Sequence, residues 1–288
     1  MTTLPLEGQV AVITGGTRGL GLAIAQTYAR AGAAVVVASR SRASVETAVR
    51  ALRTAGARAT GLACDVSDEQ QVQAVAAHAL STFGRLTLWV NNAGLGAPYG
   101  PTAHVPPDAF RRVIDTNILG VYHGSLTALQ HFLPQRRGKL INLVGRGETG
   151  AVPLQNAYSS SKVWVRQFTG ALAREYRTSG VGIFSFNPGL VTTEMLSQPQ
   201  AIQGYEQQMR PLQWVVELWG NPPEVAAQRA LWLASSATDG RTGLAENVLG
   251  PGAMLAGVVR AGWRRLSGRS KAPVTLTIET VPPALPVE

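Results

Sequence analysis

The chain has 288 residues, of which 45% are hydrophobic and only 15% charged, a balance that supports a sizeable core and excludes a disordered chain. A formal net charge of +9 raises nucleic-acid binding, yet only three of the 26 basic residues are lysines and the arginines are scattered, with no basic stripe among aromatics, so no specific nucleic acid is expected. Cys64 stands alone, which excludes an internal disulfide, and His78, His104, His123 and His131 form no HExxH or Cys/His cluster, so no metal is expected.

From the N-terminus, Met1–Gly8 lacks a basic region followed by an apolar core, and no apolar run approaches the roughly 18 residues of a membrane span; a cytoplasmic protein is expected. Gln9–Thr14 reads as a first strand, followed by the glycine turn Thr14–Gly21 and a helix over Leu20–Arg30. Ala33–Ser39 is a second strand, Ala43–Ala55 a helix, Ala57–Ala63 a third strand, Asp68–Phe83 a helix and Leu86–Asn91 a fourth strand. A long helical region over Pro107–Phe132 leads to the strand Lys139–Val144. Then come a helix through about Arg177 carrying Tyr158 and Lys162, the strand Val181–Asn187, a helix at Pro223–Ser235 and a short strand near Ala245–Leu249.

This unbroken alternation predicts an α/β fold: a single doubly wound Rossmann-type domain over residues 1–252, with a seven-stranded parallel sheet flanked by helices and ligand beyond the carboxyl ends of the strands. Two segments do not fit it. Residues 190–220 combine Met195, Met209, Trp214 and Trp219 with prolines and glutamines, as a mobile apolar lid would, or as a small helical pair packed on the core. Residues 253–288 form a C-terminal extension in which Met254, Leu255, Val258, Val259, Trp263 and Leu266 recur at helical spacing among Arg260, Arg264, Arg265 and Arg269. Such a basic amphipathic helix can contact a membrane surface; packing against the body or a second subunit is its commoner use. Val274–Val281 alternates like an edge strand.

The turn after the first strand places glycines at 15, 19 and 21 immediately before a helix, an anion site made of backbone N–H groups and suited to a dinucleotide pyrophosphate. At the end of the second strand, where a carboxylate would bind a ribose 2′-hydroxyl, stand Ser39 and Arg40, with Arg18 inside the turn. Two guanidiniums and no carboxylate favour a 2′-phosphate, hence NADP(H), against the plainer reading of solvated arginines. Tyr158 and Lys162, four apart on one helical face, can make a proton-transfer pair in which the ammonium favours the ionised phenol.

Thr14–Gly21, Asp65-Val66, Asn91–Gly94, Asn117, Tyr158-x-x-x-Lys162 and Asn187–Thr192 occur together in the order and near the spacing of a known family. Over about residues 6–250 the chain resembles a short-chain dehydrogenase/reductase of the smaller, single-domain kind. The resemblance implies that Gly15, Thr17, Arg18, Gly19, Leu20, Gly21, Ser39 and Arg40 hold the cofactor phosphates. It also implies that Asp65 meets the adenine amino group beside Val66, that Asn91 supports the fourth strand, and that Asn92, Ala93 and Gly94 border the cofactor. Pro188, Gly189, Val191 and Thr192 would shape the nicotinamide pocket. Tyr158 would donate the proton in reduction, Lys162 would lower its pKa and hold the ribose, and Asn117 would anchor a relay water. Gly145, Arg146, Leu154 and Met195 would face substrate, His123 would be packed or partly exposed, and the helix carrying Trp164 would help build a dimer face.

One departure stands out. The family's catalytic serine lies thirteen residues before the tyrosine, which here is Gly145, and Leu143–Glu148 contains no hydroxyl. Arg146, Thr149, Tyr99 or a bound water are candidate substitutes. The expected function is NADP(H)-dependent hydride transfer to or from a carbonyl or alcohol on a hydrophobic small molecule, by a homodimer or homotetramer. The alternative is an attenuated NADP(H)-binding protein with a sensing or partner-binding role.

Overall fold

The computed structural model describes residues 4–150, 152–250, 252, 254–257, 259, 263 and 276–285. Its centre is a seven-stranded sheet in which every pairing is parallel, in the order β3-β2-β1-β4-β5-β6-β8. The strands are β1 (Val10–Thr14), β2 (Ala34–Ser39), β3 (Ala59–Ala63), β4 (Leu88–Asn91), β5 (Gly138–Leu143), β6 (Val181–Asn187) and β8 (Ala245–Asn247). Strands such as Val10–Thr14 are buried throughout, because helices cover both faces of a parallel sheet and leave no solvated side to demand alternation.

Alternate residues feed two cores. Ala11, Ile13, Val35 and Val37 pack with α1 (Gly19–Arg30), α2 (Arg42–Thr54) and α9 (Pro223–Ala234), where the Tyr28 hydroxyl donates to the Ala230 carbonyl at 2.9 Å. Val10, Val12, Ala34 and Val36 pack with α3 (Glu69–Phe83), α5 (Gly120–Gln135) and α6 (Asn156–Glu175). The chain runs outward from β1 to β3 on one side and from β4 to β8 on the other, so direction switches between β1 and β4. A crevice opens at the carboxyl ends of the strands at such a switch point.

The long helical region predicted from Pro107 is interrupted. α4 (Pro107–Ile114) passes through a π-helical turn, Asp115–Leu119, into α5, which runs on through Pro134 to Gln135. Such turns cost backbone hydrogen bonding and recur where a side chain must be re-aimed; here that side chain belongs to Asn117.

Residues 190–220 fold into α7 (Glu194–Ser197), β7 (Gln200–Ile202), a 3₁₀ turn at Glu206–Met209 and α8 (Arg210–Trp219). The strand within this segment was not expected. It pairs in parallel with β9 (Glu279–Val281), so the predicted edge strand lies in a separate two-stranded sheet. Of the tail helix, residues 252, 254–257, 259 and 263 are helical, and Trp219 Nε1 donates to the Met254 carbonyl at 2.9 Å, which packs this stretch on α8. Val258, Arg260, Arg264, Arg265, Leu266, Arg269, Val274 and Thr275 lie outside the described residues. Among the described residues no helix is long and apolar enough to cross a membrane, and no group of acids, histidines or cysteine is arranged to hold a metal.

Candidate active site

The glycine turn is fixed by what surrounds it. Gly15 (φ 63°) and Gly19 (φ 53°) take the left-handed backbone that side chains disfavour, and a Cβ on Gly21 would collide with the Gly15 carbonyl oxygen. α1 starts behind Arg18 with no side-chain cap and no acid in its first turn, which leaves its leading N–H groups for an anion. Thr14 Oγ1 accepts from the N–H groups of Asn92 (3.0 Å) and Ala93 (3.1 Å), while Asn92 Nδ2 donates to the carbonyls of Thr14 and Gly15. These bonds tie the end of β4 to the end of β1 across the switch point. The residues present therefore fit a dinucleotide pyrophosphate.

Arg40 is exposed and makes no ion pair among the described residues. Arg18 is engaged: its Nη1 lies 2.6 Å from Glu194 Oε2 on α7, with both side chains mostly exposed. Such a solvated pair is worth at most about 1 kcal/mol, so a phosphate can displace the carboxylate. At the adenine end, one Asp65 oxygen accepts from the N–H (3.0 Å) and hydroxyl (2.7 Å) of Ser67. Val66 is buried against Gly120, and its carbonyl meets His123 Nδ1 at 3.1 Å, so His123 is packed and partly exposed as expected.

Beyond β6, Asn187 Oδ1 accepts from Gly189 N–H at 2.9 Å and sets the turn at Pro188-Gly189. Thr192 donates through both its N–H (3.0 Å) and hydroxyl (3.2 Å) to the Asn221 carbonyl. The hydroxyl keeps lone pairs with which to accept a hydrogen bond.

α6 brings Tyr158 and Lys162 to the same crevice. Gly145, two residues past β5, lies between them: a Cβ there would sit 2.5 Å from the Tyr158 hydroxyl and 3.8 Å from Lys162 Cε. The phenol thus occupies the space a side chain at 145 would need. Its hydroxyl has no protein hydrogen-bond partner among the described residues. Neither Arg146, Thr149 nor Tyr99 bonds to it; Arg146 and Thr149 are exposed, and the Tyr99 backbone is committed to a bridge with Ala201.

Lys162 is 5% exposed; its Nζ donates to the Leu143 carbonyl at 3.1 Å and lies 5.6 Å from the Tyr158 ring centroid. Burial pushes its amine down to about 8 against the opposing pull of the Glu148 charge. Burial, and then the same Glu148 charge, pushes the Tyr158 phenol up to about 12. That direction is opposite to the one expected of a phenol beside an ammonium. Burial is the main reason, with the Glu148 charge adding to it, while the Lys162 amine is hydrogen-bonded to the Leu143 carbonyl and not to the phenol.

Asn117 is fully buried in the π turn, exchanging hydrogen bonds with the Leu95 backbone (2.8 and 3.0 Å) and donating to Ser161 Oγ at 3.0 Å. It flanks Gly94 opposite Lys162, each within 4 Å of where a Gly94 Cβ would lie. Of the residues expected to face substrate, Leu154 adopts φ 65° and its carbonyl accepts from Gly100 N–H at 2.9 Å, and Met195 is 53% exposed.

Two residues escaped sequence reasoning. Glu148 Oε2 and Gln155 Oε1 are the buried side-chain atoms without a hydrogen-bond partner among the described residues, three positions after Gly145 and three before Tyr158. Gln155 was detectable from its place beside the tyrosine; Glu148 reads as an ordinary polar loop residue.

The family model for short chain dehydrogenases matches residues 9–203. A 3beta-hydroxysteroid dehydrogenase of Eggerthella lenta is 35% identical over 244 residues, covering 83% of this chain and 91% of the relative. A 3-ketoacyl-(acyl-carrier-protein) reductase from Brucella melitensis, solved with NADH, superposes with a TM-score of 0.74 at 29% identity, covering 84% of this chain and 97% of that one. An actinorhodin polyketide ketoreductase with NADPH gives 0.75 at 28%, covering 83% and 95%. With this fold, this switch-point crevice and these relatives, the chain belongs to the short-chain dehydrogenase/reductase family of oxidoreductases.

Proposed function

We propose that the protein is an NADP(H)-dependent reductase or dehydrogenase that interconverts a carbonyl and an alcohol on a hydrophobic small molecule. The observation that carries this reading is the convergence of an unpartnered Tyr158 hydroxyl, the buried Lys162 amine and the glycine turn on one crevice at the carboxyl ends of the strands. The bound nicotinamide supplies or accepts the hydride. The chain's part is to hold the dinucleotide and move the proton. Tyr158, protonated at neutral pH, donates its proton to the oxygen of the carbonyl as negative charge develops there. Lys162 in its ammonium form holds the nicotinamide ribose, and Asn117 orders the backbone of Leu95 beside it.

Arg40, free of ion pairs among the described residues, supports the 2′-phosphate form of the cofactor, with Arg18 joining once Glu194 is displaced. Arg40→Asp is expected to weaken NADPH binding about tenfold or more while leaving NADH within about twofold, as isothermal titration would read; equal losses would overturn the NADP(H) assignment. A homo-oligomer is supported by exposed Leu119 at the end of the π turn and Tyr122 in the first turn of α5, the latter near Phe168, on which Trp164 stacks at 4.6 Å on α6.

The activity itself is tested by following NADPH absorbance over a broad panel of ketones and aldehydes. Absence of turnover on every substrate, with NADPH still bound, would favour the attenuated, cofactor-sensing alternative for which Gly145 speaks.

A further inference from the structure

We infer that Glu148 is a positioning residue of this site: from the turn following Gly145, its carboxylate biases Lys162 toward the ammonium and Tyr158 toward the protonated phenol. The inference rests on the reductase reading above and adds to it a residue that the family resemblance does not supply.

The geometry is specific. Glu148 N–H donates to the Gly145 carbonyl at 3.1 Å, which closes the turn after β5. The residue is 7% exposed, unusual for glutamate unless it is paired. One oxygen accepts from Arg166 Nη1 at 3.1 Å; the other, Oε2, is buried without any partner. A buried carboxylate oxygen left unbonded is costly, and such a cost persists in a native structure only where something offsets it.

Arg166 stands one helical turn beyond Lys162 and two beyond Tyr158, so Glu148 lies against the α6 ridge that carries the proton-transfer pair. Among the described residues, the charged and titratable groups bearing on this cluster are Tyr158, Lys162 and Arg166 from α6 and Glu148 from the β5–α6 turn.

The consequence follows from sign. A buried amine loses its proton more readily, and Lys162 sits near 8 on that account. A negative charge nearby opposes this loss and favours the ammonium. The same charge adds to burial, the larger cause, in disfavouring phenolate at Tyr158. A serine hydroxyl at 145 would have supplied a neutral donor to the reacting oxygen; this turn supplies instead a charge that sets the protonation of the two groups on either side of it.

Glu148→Gln tests this, with Glu148→Asp as the charge-keeping control. NADPH binding is measured against pH by nicotinamide fluorescence, which needs no turnover. In the wild type, affinity is expected to fall as pH rises through about 8, as the Lys162 ammonium is lost. In Glu148→Gln the midpoint is expected to move down by about half to one pH unit, with Glu148→Asp close to wild type. The acid limb of alcohol oxidation, which needs phenolate, moves down with it. A role confined to packing Arg166 would lower the melting temperature of Glu148→Gln and leave the midpoint in place; that result overturns the inference. Wild-type protein that binds NADPH but turns over nothing defeats the reductase reading alone, because the binding midpoint still reports on Lys162. Protein that binds no NADPH defeats both.

Discussion

Tyr158→Phe is expected to lower turnover in carbonyl reduction by about 10²- to 10⁴-fold while leaving NADPH affinity within about twofold. The substitution removes one oxygen. That oxygen has no hydrogen-bond partner among the described residues, so removing it strands no buried donor or acceptor. The ring remains beside Gly145 and Lys162, and the fold has no reason to move. The loss therefore falls on a contact made in the transition state, and kcat should fall with little change in cofactor binding. Stopped-flow rates of NADPH oxidation, on whichever substrate the panel yields, measure it; activity within about threefold of wild type would show that another group supplies the proton.

Gly145→Ser is expected to lower turnover by at least about tenfold, although it restores the hydroxyl that the family resemblance places at this position. Two effects compete. A well-placed donor on the reacting oxygen is worth about 10²- to 10³-fold. Against it, the new Cβ would lie 2.5 Å from the phenol oxygen, about an ångström inside ordinary contact, so the tyrosine must retreat from its position beside Lys162. A displacement of that size at a reacting group can cost about 10²-fold by itself. Since the phenol occupies the space of the missing side chain, the misplacement is expected to outweigh the donor. Turnover higher than wild type would show that the phenol swings back freely and that Gly145 marks a degraded site. Gly145→Ala separates the two effects, because it adds the clash without the hydroxyl and should be at least as slow.

Much of the fold was legible because fully buried parallel strands are written as short apolar runs: Val10–Thr14, Ala34–Ser39 and Val181–Asn187 fall within a residue or two of their predicted bounds. The glycine turn and the helical pair were legible because backbone geometry and i,i+4 spacing are local properties. What escaped depends on distant contacts. The π turn at Asp115–Leu119 leaves no mark on apolar periodicity, since it re-aims one polar residue within an otherwise regular helix. β7 is three residues long, too short for a pattern, and exists only through its pairing with β9, the edge strand that alternation over Val274–Val281 did reveal. Glu148 looks like loop polarity until Arg166, eighteen residues on, is folded against it. The upward shift of the Tyr158 phenol was missed for the same reason: the sequence places a lysine beside it and cannot show that folding buries the phenol and brings the Glu148 charge near.

The pairing of β7 with β9 also imposes an order of events on a growing chain. Gln200 and Glu279 are 79 positions apart, so β7 waits for its partner until that much more chain has been synthesised. The β1–β4 half, which holds the glycine turn and the Asn92 clasp, contains its own pairings and can form long before. A nascent chain would then be able to capture dinucleotide while its substrate side is still open, with bound ligand favouring the folded half by mass action.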